Sequence, residues 1–84
     1  MEFFVYLIRS QVDGRLYKGQ STNLQRRIIE HNSGKTKSTK GFVPWDLIYF
    51  EKFETIEESI ARERYFKTGS GREYLKTILS KIAL

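Results

Sequence analysis

Residues 3–10, FFVYLIRS, constrain the fold more than any other stretch of this chain. Phe4, Tyr6 and Ile8 fall on one alternation, and Phe3, Val5 and Leu7 on the other. An extended strand with this pattern must be covered on both faces, since either face left open would put large apolar side chains in water. The cover has to come from a chain of 84 residues, enough for one small domain spanning 1–84.

The following segments supply partners for that strand. Asp13-Gly14 is a type I′ hairpin signal, so RLYKGQ is expected to return antiparallel. With Asp13 and Gly14 as the two turn residues, Ser10 pairs with Tyr17 and Ile8 with Gly19. Tyr6 and Tyr17 then share a face. Thr22-x-x-Gln25 reads as the capping box of a first helix, which Gly34 ends. A polar, lysine-rich loop, SGKTKSTKGF, leads to a third strand, VPWDLIYFEKF. Pro44 lies near the start of that strand, where a missing N–H does least harm. Thr55-x-x-Glu58 caps a second helix running to about Lys67. Ser70-x-x-Glu73 is expected to cap a third, with Leu75, Ile78, Leu79 and Ile82 as its apolar stripe. The expected fold class is α/β (α+β): a small three-stranded antiparallel β-sheet flanked by three α-helices, in the order β-β-α-β-α-α.

Composition narrows the chemistry. There is no cysteine, so neither a disulfide framework nor a thiolate zinc site is available. The single histidine cannot build a multi-histidine centre, so a metal would be held mainly by carboxylate and water, which suits magnesium or manganese. No apolar run approaches membrane-spanning length and the N-terminus lacks a signal-peptide pattern, so a cytoplasmic protein without membrane contact is expected. Net charge is +5 and the isoelectric point is near 9.6. The charge is uneven: residues 9–41 are markedly basic and EKFETIEE is acidic. That asymmetry favours a basic binding face and a nucleic-acid partner. SGKT invites a P-loop reading, but the required glycine would fall at Ile29, and the segment follows a helix rather than a strand.

Three groups of residues stand out. Arg27 and His31 are spaced i, i+4 beside the inward Leu24–Ile28 stripe. Alone, they fit a helix boundary with a snorkelling arginine and a satisfied edge histidine; together they could also grip a phosphate and move a proton. Glu63 shares a helix face with Ile56, Ile60 and Lys67. It is either half of a Glu63–Lys67 pair or a metal ligand aimed at the sheet. Tyr6 and Tyr17 are ordinary strand residues taken singly. Beside an inward Arg, His and Glu, they make a denser polar cluster than a small core tolerates.

These residues carry a resemblance. VYL at Val5–Leu7 and YKG at Tyr17–Gly19 resemble the paired tripeptides of the GIY-YIG nuclease superfamily, and Arg27-x-x-x-His31 resembles its helix motif. Glu63 stands where the family's metal-binding glutamate is expected. Thr39, Lys40, Pro44 and Trp45 ("TK…PW"), with REYLK, resemble the small stand-alone bacterial subgroup, which is similar to the N-terminal catalytic domain of an excision-repair nuclease. The chain departs from the pattern in having no glycine in the first tripeptide, Lys18 in place of isoleucine, and no asparagine after Asn32. The resemblance implies hydrolysis of phosphodiester bonds in nucleic acid, DNA or RNA with DNA favoured, and one Mg2+ or Mn2+ ion on Glu63. It implies Arg27 on the phosphate, and Tyr6 as general base, assisted by Tyr17 or His31; His31 is the rival base. Lys18, Arg26, Lys35, Lys37 and Lys40 are the expected nucleic-acid contacts. The competing expectations are a binding module that cuts poorly or not at all, and a subunit targeted by a partner protein.

Overall fold

The computed structural model describes residues 1–82. Strands β1 (Phe3–Ser10), β2 (Leu16–Ser21) and β3 (Trp45–Phe53) form one antiparallel sheet, and β1 lies in the middle. Helix α1 (Leu24–Asn32) follows β2; α2 (Ile56–Phe66) and α3 (Gly69–Ile82) follow β3. The order is β-β-α-β-α-α, an α+β fold.

The double alternation of β1 has a direct structural counterpart. Val5 and Leu7 pack with Phe66 and Leu75 under α2 and α3. Tyr6 and Ile8 pack with Trp45 on the opposite face, under Leu24 and Ile28 of α1 and under Phe42 of a 3₁₀ turn at Lys40–Phe42. Among the described residues, no helix is long and apolar enough to cross a membrane.

Four local details differ from expectation. The hairpin is not type I′, which requires positive φ at both central residues. Only Gly14 adopts it, at +79°. The Asp13 carboxylate instead accepts from the Arg15 backbone N–H at 3.1 Å and from its Nε at 2.8 Å. The loop closes with Ser10 N–H donating to the Arg15 carbonyl, so Tyr17 pairs with Ile8 and Gly19 with Tyr6. The slip covers two residues, and side chains alternate with period two, so Tyr6 and Tyr17 still share a face. At α1 the N-cap is Asn23, not Thr22: its side chain accepts from Arg26 N–H. At α3 the capping hydroxyl is that of Thr68, which accepts from Gly71 N–H at 3.0 Å and starts the helix ahead of Ser70. Ile82, expected on the α3 stripe, is 43 % exposed. The Thr55–Glu58 capping box forms with both of its hydrogen bonds.

A bulge interrupts the β1–β3 ladder, where Leu7 faces Tyr49 but Ile8 faces Leu47. The extra residue reverses the alternation of the first part of β3. Trp45, which would otherwise follow Tyr49 toward α2, joins Tyr6 on the α1 face.

Candidate active site

Arg27 and His31 leave α1 one turn apart, flanking the stripe that anchors the helix to the sheet. His31 is fully buried, and both ring nitrogens are engaged. Its Nε2 lies 2.8 Å from the Tyr6 hydroxyl, and its Nδ1 lies 2.8 Å from the Thr39 hydroxyl. The Tyr17 ring meets it edge-on, with centroids 5.1 Å apart. Arg27 Nε donates to the Tyr6 hydroxyl at 3.3 Å, and Arg27 Nη1 donates to Glu30 at 3.0 Å. Tyr6, Tyr17, Arg27 and His31 therefore form one contiguous cluster.

Gly19 makes room for it. This glycine sits directly across from Tyr6, and a Cβ there would lie 2.4 Å from the Tyr6 hydroxyl oxygen. The ring cannot swing clear without breaking its bonds to His31 and Arg27. Gly19→Ala is therefore expected to destabilise the fold by about 1–3 kcal/mol, the usual range for overpacking. A thermal melt within error of the parent would contradict this.

Glu63 lies on α2, in the other layer. Helix α2 lies along β2, the edge strand: Ser59 Oγ donates to Gln20 at 2.9 Å, and Lys18 Nζ donates to the Phe66 carbonyl at 3.0 Å. Glu63 falls between those two anchors. Among the charges that bear on the Tyr6 hydroxyl, that of Glu63 is the weakest. Burial pushes the Tyr6 pKa up, Arg27 pulls it back through its hydrogen bond and charge, and Tyr17 and Glu63 push it up further.

The Glu63 carboxylate is paired with Lys67 at 2.8 Å; its side chain is 19 % exposed, against 57 % for the lysine. Among the described residues, no group of three or more His, Cys, Asp or Glu is placed to hold a metal. A single hard carboxylate fits an ion that keeps several waters and takes its other ligands from a substrate phosphate, as magnesium does. Soft or multi-histidine metals do not fit this donor set.

Burial holds the His31 pKa below its usual 6.5, the Arg27 charge lowers it further, and Glu30 opposes the shift. The ring is thus neutral in the fold at neutral pH. Below about pH 6.5 the unfolded chain binds a proton that the folded chain refuses, so stability should fall as pH drops through that window toward the folded pKa. Thermal melts recorded across it, with the His31 ring titrated by NMR, test this; a midpoint above 6.5 would reverse the sign.

The basic residues do not all meet at this cluster. Arg27, Arg26 and Lys35 surround Glu30, whose carboxyl pKa is lowered first by the Arg27 hydrogen bond, with Arg26 and Lys35 adding their charges. Lys37 and Lys40 are exposed in and beside the loop that follows α1. Lys18 lies on the opposite face, where Lys67 and Arg72 are its charged neighbours. Two participants, Glu30 and Thr39, were not among the expected site residues. Glu30 had a visible clue in its i, i+3 spacing from Arg27. Thr39 lies in a loop, where periodicity says nothing.

The chain has clear relatives. A UPF0213 protein of Staphylococcus saprophyticus is 40% identical over 76 residues, covering 89% of this chain and 92% of that one. A UPF0213 protein of Clostridium perfringens is 40% identical over 79 residues, covering 93% and 84%. The solution NMR structure of the UPF0213 protein BH0048 from Bacillus halodurans shares the fold with a TM-score of 0.57 and 33% identity, over 93% of this chain and 85% of that one. Residues 2–76 match the family model of the GIY-YIG catalytic domain, and those residues include Tyr6, Tyr17, Arg27, His31 and Glu63. The chain belongs to the GIY-YIG catalytic domain family.

Proposed function

We propose that this chain is a divalent-metal-dependent endonuclease hydrolysing phosphodiester bonds in nucleic acid, with DNA as the first substrate to test. One observation carries the reading: Arg27 Nε, the Tyr6 hydroxyl and His31 Nε2 form a continuous hydrogen-bonded line, on which the Glu63 charge bears weakly from α2.

Each residue then has a task. Arg27 exchanges Glu30 for a non-bridging phosphate oxygen and carries the charge that grows there in the transition state. Tyr6 takes the proton of the attacking water as its own hydroxyl proton passes to His31 Nε2. The Tyr6 hydroxyl stands between Arg27 and His31, so His31 acts behind Tyr6 rather than on the water itself. The new P–O bond forms as the bond to the 3′ oxygen breaks, and that oxygen is protonated from solvent. Glu63 would hold the cation, which supplies charge neutralisation at the phosphate and the leaving oxygen. Arg26 and Lys35 lie near Arg27 and extend the cationic surface along the backbone; Lys37, Lys40 and Lys18 are more distant contacts.

The test is cleavage of branched, flapped, duplex and single-stranded DNA and the matching RNAs, with magnesium or manganese. Salt-sensitive binding without cleavage under any of these conditions would replace this reading with a binding module.

A further inference from the structure

The buried hydroxyl of Thr39 has no place in the mechanism above, yet it occupies the second nitrogen of His31. Thr39 is 0% exposed, and its backbone is fixed: its carbonyl accepts from Trp45 Nε1 at 2.9 Å, and its N–H donates to the Thr36 carbonyl. Trp45 is itself directed to this face by the bulge in β3.

Counting protons along the line selects one arrangement. Arg27 Nε can only donate, so the Tyr6 oxygen accepts from it. The Tyr6 hydroxyl proton then goes to His31 Nε2, which must be the unprotonated nitrogen. His31 Nδ1–H donates to the Thr39 oxygen, and the Thr39 proton points to the Thr36 carbonyl, 3.4 Å away. Every proton has an acceptor. The reverse order directs two donors at the Tyr6 oxygen and leaves its own proton unplaced, in a residue only 2% exposed. Burying an unsatisfied donor is costly.

We infer that Thr39 is a positioning residue that holds His31 in the Nδ1–H tautomer, so that Nε2 is free to receive the Tyr6 proton. The catalytic consequence rests on the nuclease reading above; the tautomer does not. A valine at this position keeps the shape of the side chain but cannot accept from Nδ1–H. Either tautomer then strands one buried donor, the ring Nδ1–H or the Tyr6 O–H. The single form of the parent should give way to a mixture, whose Nε2–H part donates to Tyr6 and blocks proton transfer from it. A serine keeps the hydroxyl.

The experiment is ring-nitrogen NMR of His31 in the parent, Thr39→Val and Thr39→Ser, with thermal melts and cleavage rates on the same preparations. The parent and Thr39→Ser should show a protonated Nδ1 and a bare Nε2, and Thr39→Val ring-nitrogen shifts displaced toward the Nε2–H form. In cleavage, Thr39→Val should lose severalfold in kcat with KM nearly unchanged, and Thr39→Ser should recover most of it. A parent with Nε2 protonated, or a Thr39→Val protein whose ring spectrum matches the parent, overturns the assignment whatever the activity. Should Thr39→Val melt too low to examine, the parent and Thr39→Ser spectra still decide: Nε2–H in either one refutes it. A parent that shows the assigned tautomer yet cuts nothing defeats the nuclease reading and leaves the tautomer standing.

Discussion

Glu63→Gln is expected to abolish cleavage while leaving the fold essentially unchanged. The side chain takes part in one i, i+4 ion pair, with Lys67. Such a pair contributes about 0.2–0.5 kcal/mol, or about 1–4 °C in a domain of this size. Glutamine fills the same volume, so no cavity opens in the packing of α2. What disappears is the formal charge that binds a hard divalent cation. A loss on the order of 10²–10³-fold in kcat is the ordinary consequence of removing one element of transition-state charge stabilisation. Lys67 sharpens the comparison, because a cation held by Glu63 would have to replace its ammonium at the carboxylate. Lys67→Met should therefore not repeat the Glu63→Gln defect. Melts and metal-dependent cleavage on the same preparations separate the cases. A Glu63→Gln protein that melts normally and cuts as fast as the parent ends the metal-ligand role.

Local rules made the elements legible, and their failures were local too. The Arg27–His31 spacing and the Thr55 capping box follow from helical geometry and needed no tertiary information. The face shared by Tyr6 and Tyr17 survived a wrong turn type because the slip covered two residues. The helix starts expected at Thr22 and Ser70 gave way to the nearby Asn23 and Thr68, which can also cap, and only geometry decides which side chain reaches the N–H. The third strand concealed more. Its alternation says nothing about the bulge beside Ile48, and that bulge sets Trp45 against Thr39. Thr39 reaches His31 from an irregular loop, so no period could link the two. Where Glu63 sits relative to the edge strand β2 also depends on how α2 lies along the sheet. The family's motif order stood in for that information.

Gly71→Ala is expected to be the most destabilising single-methyl change in the chain. Gly71 is buried in the first turn of α3, where α3 meets the end of α2. A Cβ there would lie 1.9 Å from the Tyr65 carbonyl oxygen and 2.7 Å from the Phe66 Cα. Both obstacles are backbone, so no rotamer change relieves the clash. That backbone is held from several sides. The Phe66 ring is 2% exposed and packs with Val5, Leu7 and Leu75. The Phe66 carbonyl accepts from Lys18, and the Tyr65 carbonyl accepts from Thr68 N–H. Relief requires α3 to move away from α2, which uncovers Leu75 and pulls Gly71 N–H from the Thr68 hydroxyl. Overpacking in a core costs about 1–3 kcal/mol when side chains can yield, and more when they cannot. A domain of this size has a total stability of roughly 4–13 kcal/mol. Loss of about 4 kcal/mol or more would lower the melting temperature by at least about 16 °C or prevent folding. Gly69→Ala is the control. It lies two positions earlier on the same helix with nothing within 4 Å of a Cβ, so helix propensity should make it neutral or stabilising, by up to about 1 kcal/mol. Parallel urea and thermal melts of the two variants test the contact itself, because both changes add the same methyl to the same turn. A Gly71→Ala protein that melts within a few degrees of Gly69→Ala would mean that α2 and α3 do not approach as closely as this packing requires.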